Sequence, residues 1–383
     1  MKKTISLLSA SAILASSFTT FAATTQASAK VEVPQMKVHF IDVGQADSIL
    51  IETPSKKTIL VDAGNNADGA YVVNYIKERG YNNLDVVIGT HPHEDHIGGL
   101  DDVIDSFTIG TLYMPSVIYD TDTFKDVYES AKVKKEEVVT IKAGTEIKID
   151  PLLDITVLSP TLEQYDDVNN YSPIIKFDYK DFEMLLTGDA EKEVELALVK
   201  KYKGTDVLDV DVLKAGHHGS DTSSTEEFIK ATTPKHTIIS VGTDNKYGHP
   251  NTTIMDRLTK YGSAIYRTDV KGSYAFVTDG TEDGLKVYEK GRQNPNTPAS
   301  KPYVPVVKPV VSPTSTPAKP STPVVTPSVS TQVTEPKGQT VWVTGSGKKY
   351  HYKTCRYVNN TSRELKVDDA KKQGYEPCKI CHK

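Results

Sequence analysis

Cysteine is nearly missing from this chain of 383 residues, and the 3 that occur, Cys355, Cys378 and Cys381, are confined to one end. Everything upstream of Cys355 therefore lacks both a disulfide staple and a thiol nucleophile, which excludes a cysteine enzyme there. Long apolar runs are lacking too. No stretch approaches the roughly 20 apolar residues that span a bilayer, so no transmembrane segment is expected in the mature chain. Nor is positive charge in excess: 45 Lys and Arg against 50 Asp and Glu leave a formal net charge of -5. That balance argues against a uniformly basic, non-specific nucleic-acid binder, while a polyanionic substrate stays possible if metal ions or a local basic patch attract it. With 38% hydrophobic and 25% charged residues, the chain still has enough apolar material for one large core.

Composition divides the chain into four parts. Residues 1–29 begin with Lys2 and Lys3, pass through an apolar stretch at about 5–15 and reach the small-residue pattern Ala27-Ser28-Ala29, which reads as a secretory signal peptide and a secreted or wall-associated protein. Residues 30–292 have the mixed composition of a globular domain. Residues 293–338 turn to repeated Pro, Val, Thr and Ser, an extended spacer that cannot form a core. Residues 339–383 form a small module rich in Lys, Tyr and Cys.

Within the main domain, residues 36–43, 48–52 and 58–61 are predicted to form an antiparallel meander. A helix follows at 71–79 and a strand at 84–89. Further strands are expected at 154–158, 174–179, 182–186, 236–241 and 273–277, with helices near 190–200, 225–230 and 254–261. This mixture predicts sheets packed face to face with helices outside.

The chemistry concentrates after the apolar run at 84–88. Residues 90–100 read THPHEDHIGGL and place His91, His93, Asp95 and His96 within six positions. His91 and His93 are expected to converge on one ion, with Asp95 and His96 turned toward another about 3.5–4 Å away. Imidazole and carboxylate together suit zinc, manganese or iron better than calcium or magnesium. Three further segments carry matching groups: LLTGDA puts Asp189 after an apolar strand, where a carboxylate can bridge two metals, LKAGHHGS offers His217 and His218, and VDAG sets Asp62 at a tight turn.

The ordered set VDAG, HPHEDHIGG, TGD and GHHGS resembles the metallo-β-lactamase superfamily over residues 33–289. More narrowly, HFIDVGQADSILIET, the Asn169-Asn170 pair, LLTGDAE, DVLKAGHHGS and SVGTDNKYGHP look like the soluble hydrolase domain of the ComEC competence DNA-channel proteins, here expected without channel helices. The resemblance implies an α/β fold, a four-layered αββα sandwich with two divalent ions (Zn or Mn) at one edge. It implies His91 and His93 on one metal, Asp95 and His96 on the second, Asp189 as the bridge, and either His217 or His218 completing the second site while the other contacts substrate. Asp62 is expected to orient the histidine loop rather than to ligate. Many members supply another His before the bridging Asp. The matching stretch ITVLSP has Ser159 instead, so the first metal is expected to be weakly held and β-lactam hydrolysis is not expected.

Phosphodiester hydrolysis by a metal-activated water fits this constellation, with DNA outside the cell as the expected substrate. His249 is a candidate proton donor or phosphate ligand, and Lys214, Lys246 and Arg267 are candidate anion contacts. A phosphorylcholine or wall-polymer phosphoesterase is the alternative enzyme. It would need an aromatic cage, and the single Trp, Trp342, lies outside the main domain. A non-catalytic wall-associated binding protein is the third reading. In the terminal module, His351, Cys355, Cys378 and Cys381 have spacing suited to a closed structural zinc site; the alternative is a disulfide between Cys378 and Cys381 with Cys355 left over. Tyr350, Tyr352 and Tyr357, interleaved with Lys348, Lys349, Lys353 and Arg356, offer groups for single-stranded nucleic acid or wall polymer.

Overall fold

The computed structural model describes residues 33–281, 283–291, 294, 340–344, 349–351, 353 and 363–378. The expected signal peptide, the spacer apart from Asn294, and Cys355 and Cys381 lie outside the described residues. The chain divides between Val306 and Val307 into two units.

The first unit contains strands β1 (Met36–Phe40), β2 (Ser48–Glu52), β3 (Thr58–Ala63), β4 (Asn83–Ile88), β5 (Thr108–Met114), β6 (Val138–Thr140), β7 (Asp154–Val157), β8 (Ile175–Tyr179), β9 (Phe182–Leu186), β10 (Val212–Lys214), β11 (His236–Ile239), β12 (Ala264–Arg267), β13 (Ser273–Thr278) and β14 (Lys286–Gly291). Its helices are α1 (Gly69–Lys77), α2 (Glu94–Ile97), α3 (Leu100–Ser106), α4 (Asp122–Lys134), α5 (Lys192–Lys201), α6 (Glu226–Thr232), α7 (Thr252–Lys260) and α8 (Thr268–Lys271). One sheet runs β14-β13-β1-β2-β3-β4-β5-β6 and the other β12-β11-β10-β9-β8-β7. As expected, β1, β2 and β3 pair antiparallel. From β3 to β6 the pairing is parallel, as it is from β9 to β12.

Side-chain alternation along the strands explains the layering. Ile49, Ile51, Ile59, Val61, Met184 and Leu186 enter the core between the sheets. Leu50 and Leu60, one residue out of phase, join Val72, Ile76, Val103 and Val127 beneath α1, α3 and α4. On the far face, Leu185 and Leu213 meet Val194, Leu198, Phe228 and Leu258 of α5, α6 and α7. Each such burial contributes about 1.5–3 kcal/mol, and the three cores together give the expected helix–sheet–sheet–helix order.

Several elements escape the sequence reading. The helix α4 is the clearest: DTFKDVYESAKVK is mostly polar and charged, and its buried stripe is thin, carried by Phe124, Val127 and Ala131 with Thr123. Its signal lies at the cap, where Thr121 Oγ1 accepts from the Phe124 amide at 3.3 Å.

The second unit has β15 (Thr340–Val343), β16 (Lys349–His351), β17 (Arg363–Lys366), α9 (Val367–Lys372) and β18 (Glu376–Pro377). They form a sheet in the order β17-β15-β16-β18 over a small core of Val341, Val343, Tyr350, Val367 and Ala370. His351 and Cys378 are both buried there; the other two residues of the expected zinc set are not described.

Candidate metal centre

The carboxyl ends of β3, β4, β9, β10 and β11 all open on one edge of the sandwich, and each delivers one piece of the site. The double glycine after His96 sets the approach of α2. A Cβ on Gly98 would stand 2.2 Å from the Asn66 amide, and one on Gly99 would stand 2.5 Å from the Ala63 carbonyl. Only glycine lets the ligand loop lie against the end of β3. There Asp62, with φ of 58°, accepts from the Thr90 amide at 2.8 Å and contacts His96 Nδ1 at 2.8 Å. The Nε2 of His96 is thereby left to face inward.

The remaining ligand atoms close in on the same space. His91 Nε2 and His93 Nδ1 are 3.0 Å apart. The Asp189 carboxylate lies 3.3 Å from His96 Nε2, 4.0 Å from His91 Nε2 and 3.6 Å from both His217 Nε2 and His218 Nε2. His218 Nε2 is also 3.4 Å from Asp95, while its Nδ1 is 3.0 Å from the Ser240 carbonyl. His217 turns its Nδ1 to Thr222 and Glu191 instead. Both histidines occupy the left-handed region, with φ of 49° and 53°, a conformation that costs energy in a non-glycine residue and is held here by its surroundings.

The arrangement fits cations. His96 Nε2, His218 Nε2, Asp189 Oδ1 and Asp47 Oδ1 are buried without a hydrogen-bond partner, a costly state that a metal ion would relieve. Triads of ligand atoms form around His91, His96 and Asp189 and around Asp95, His96 and His218. The protonation of His91, His93 and Asp189 suits ligation, whereas His96 holds a proton that a bound cation would have to displace. Burial, with the charge of His96, holds His91 well below the usual imidazole range, and burial lowers His93. Burial works against ionisation of Asp189, yet the surrounding His96, His218 and His217 hold it well below the carboxylate range. Burial likewise opposes protonation of His96, but Asp189 and Asp62 hold it well above its ordinary value: the site draws positive charge.

Residues 41–243, just over half of the chain, match the family model of the Metallo-beta-lactamase superfamily. The chain belongs to the metallo-β-lactamase superfamily. That membership places it among metal-dependent hydrolases. It is 28% identical over 257 residues to ComE operon protein 3 of Bacillus subtilis (strain 168), covering 63% of this chain and 33% of that protein. It is 29% identical over 236 residues to Competence protein ComA of Neisseria gonorrhoeae, covering 61% and 31%. The chain thus spans about a third of the length of these relatives. Among solved structures, the metallo-beta-lactamase fold protein YhfI from Bacillus subtilis matches with a TM-score of 0.43 and 14% identity, over 64% of this chain and 99% of that one.

For this superfamily member, the structure corrects two expectations. Lys214 is no anion contact: it is 0% exposed, and its Nζ lies 2.7 Å from Asp47. Arg267 is held by Asp269 and does not line the ligand cavity. Ser159, at the position where many members carry a histidine, lies behind the ligands, its Oγ bonding the Ser172 carbonyl at 2.9 Å and the Ile174 amide at 2.7 Å. The hydroxyl that reaches the centre is that of Ser172, 3.3 Å from His91 Nδ1 and accepting from the Asp189 amide at 3.1 Å.

A cavity of about 650 Å³ opens over the ligands, lined in part by His93, Asp95, Asp189, Lys246, Tyr247 and His249. Burial and the neighbouring His217 and His218 push the His249 imidazole down to about 4, so near neutral pH it is uncharged and not an acid reservoir. Asp47 and Tyr247 carried no assigned role in the sequence. The signal for Asp47 was a carboxylate at the mouth of β2, whose five residues are all buried.

Proposed function

We propose that this protein is a metal-dependent phosphodiesterase that cleaves DNA outside the cell. The observation that carries the reading is the convergence of buried, unpartnered His and Asp atoms at the floor of an open cavity. His91 and His93 would hold one cation, Asp95, His96 and His218 the second, with Asp189 between them. Bound there, divalent cations supply the charge neutralisation and the acidified water that phosphodiester hydrolysis requires.

The chain's own residues do the positioning. Asp62 and Thr90 fix the His96 ring, and the Ser240 carbonyl fixes that of His218. His249 presents a neutral imidazole to the cavity wall as a hydrogen-bonding group for a substrate oxygen. Lys246, exposed on the same wall, draws the phosphate backbone. His217, tied to Glu191 and partly exposed where His218 is buried, is the histidine left for substrate. Similarity to two competence proteins supports DNA over other diesters. A phosphorylcholine ester is disfavoured because the cavity's aromatic ring, Tyr247, already has a Lys ammonium beside it, which repels a quaternary ammonium.

The test is hydrolysis of bis-p-nitrophenyl phosphate and of single- and double-stranded DNA by protein stripped of metal and then reloaded with Zn²⁺ or Mn²⁺. Metal-restored cleavage of DNA is expected, lost in Asp189→Asn with the fold intact. Cleavage of the small diester alone would redirect the assignment to wall or lipid phosphoesters. No turnover on either would leave the binding-protein reading.

A further inference from the structure

We propose that the turn at residues 242–250 is a stacking platform for one unpaired nucleobase, with the Tyr247 ring taking the base and Lys246 an adjacent phosphate. The inference rests on the DNA-cleaving reading above and adds to it a preference for single strands.

Tyr247 is 58% exposed, yet it is not a loose surface side chain. Its ring is stacked on that of His249, with centroids 5.6 Å apart and planes 26° apart. Lys246 places its Nζ 5.1 Å from the ring centre. All three residues line the cavity that also contains Asp189 and His218. An aromatic face and an ammonium are thus set side by side at the hydrolytic centre, the pairing that binds a base together with its phosphate.

The mount is rigid. Asn245 Oδ1 accepts from the amides of Tyr247 at 3.2 Å and His249 at 3.0 Å, while its Nδ2 donates to the carbonyls of Gly242 at 2.9 Å and His249 at 2.7 Å. Gly242 in turn donates to Gln45 Oε1 at 3.0 Å, and a Cβ there would stand 2.6 Å from the Gln45 amide. The turn is therefore clamped both to itself and to the β1–β2 connection. More than half of this large ring stays in solvent despite its contact with His249, so the fold gains little from it. A pre-organised ring, however, binds a ligand without first having to be ordered. In a duplex each base is already stacked between neighbours and cannot offer its face. In a single strand it can.

The experiment compares cleavage by the full-length, metal-loaded protein of a single-stranded oligonucleotide, its duplex, and the same strand with an abasic residue at the cleaved position. The wild type is expected to favour the base-bearing strand over the abasic one by roughly ten- to a hundredfold in kcat/KM, mostly through KM. Tyr247→Ala should bring that ratio close to one, and Tyr247→Phe should keep it. A 2-aminopurine at the same position should be quenched on binding to the wild type and not to Tyr247→Ala. An unchanged ratio in Tyr247→Ala, or a duplex cleaved as fast as the single strand by the wild type, would overturn the platform while leaving the nuclease reading intact. If the wild type hydrolyses bis-p-nitrophenyl phosphate but no DNA, the nuclease reading fails and the platform with it.

Discussion

Asp47 and Lys214 meet at 2.7 Å with both side chains closed to solvent, directly behind the ligand cluster. Asp47 also lies 3.6 Å from His218 Nδ1 and 4.0 Å from His96 Nδ1, on the side of each ring away from the cavity. Lys214 thus offsets one of the buried negative charges that gather there. Removing one partner of such a pair strands the other in a low-dielectric interior at a cost of about 3–5 kcal/mol. Lys214→Met is expected to lose that much stability in metal-stripped protein, less once cations are bound, and to recover part of it when combined with Asp47→Asn. Urea unfolding of the three proteins checks this; a single variant as stable as wild type in both states would refute the pair's role. The same residue shows a boundary of sequence reading. A lysine beside GHHGS suggests a phosphate contact, and only the packing of β10 inside its sheet removes it from solvent.

Among elements, α5 and α6 are joined by one carboxylate. Glu195 of α5 accepts from the amides of Ser224 at 2.5 Å and Thr225 at 2.7 Å, at the amino end of α6. Burial raises it to about 7 despite those bonds. Because this value lies above that of the unfolded chain, the folded state binds the proton more tightly. The stabilisation is full below about pH 4.5 and is lost as pH rises through about 7, with a slope of at most about 1.4 kcal/mol per pH unit. The stability difference between wild type and Glu195→Gln, followed by urea titration from pH 5 to 8, should move against the wild type as pH rises. A flat difference would contradict the assignment. Such a link is invisible in sequence, where Glu195 is one acidic residue in a charged helix. By contrast β2, β3 and β9 were legible because alternate residues enter different cores, and α4 was not because its apolar stripe is so thin.

At the scale of the molecule, the site is an excess of negative charge at the seam of two sheets. Asp47, Asp62, Asp95 and Asp189 face it, with Lys214 as a buried cation among them. Cations that bind the folded state alone stabilise it by mass action, about 2.7 kcal/mol at a concentration a hundred times Kd. For a unit of this size that corresponds to a rise in Tm of about 5–10 °C. Calorimetry of stripped and reloaded protein should show it, and Asp189→Asn should abolish most of the shift. An identical Tm in both states would argue against cation binding at this seam.

What the sequence by itself determined was the set of ligand types and their order, since His91, His93, Asp95 and His96 fall within six residues and their chemistry needs no distant partner. It also determined the layered architecture, because alternation along short strands records which face each residue enters. Tertiary structure decided the rest. The left-handed backbone at His217 and His218 brings the Nε2 of both rings to Asp189 and turns one Nδ1 to Glu191 and the other to the Ser240 carbonyl. The close approach of β3 to the double glycine gives Asp62 to His96, the loop before β8 brings Ser172 rather than Ser159 to His91, and the clamp of Asn245 holds Tyr247 open. Each depends on strand ends from two sheets meeting at one edge, an arrangement that no local spacing encodes.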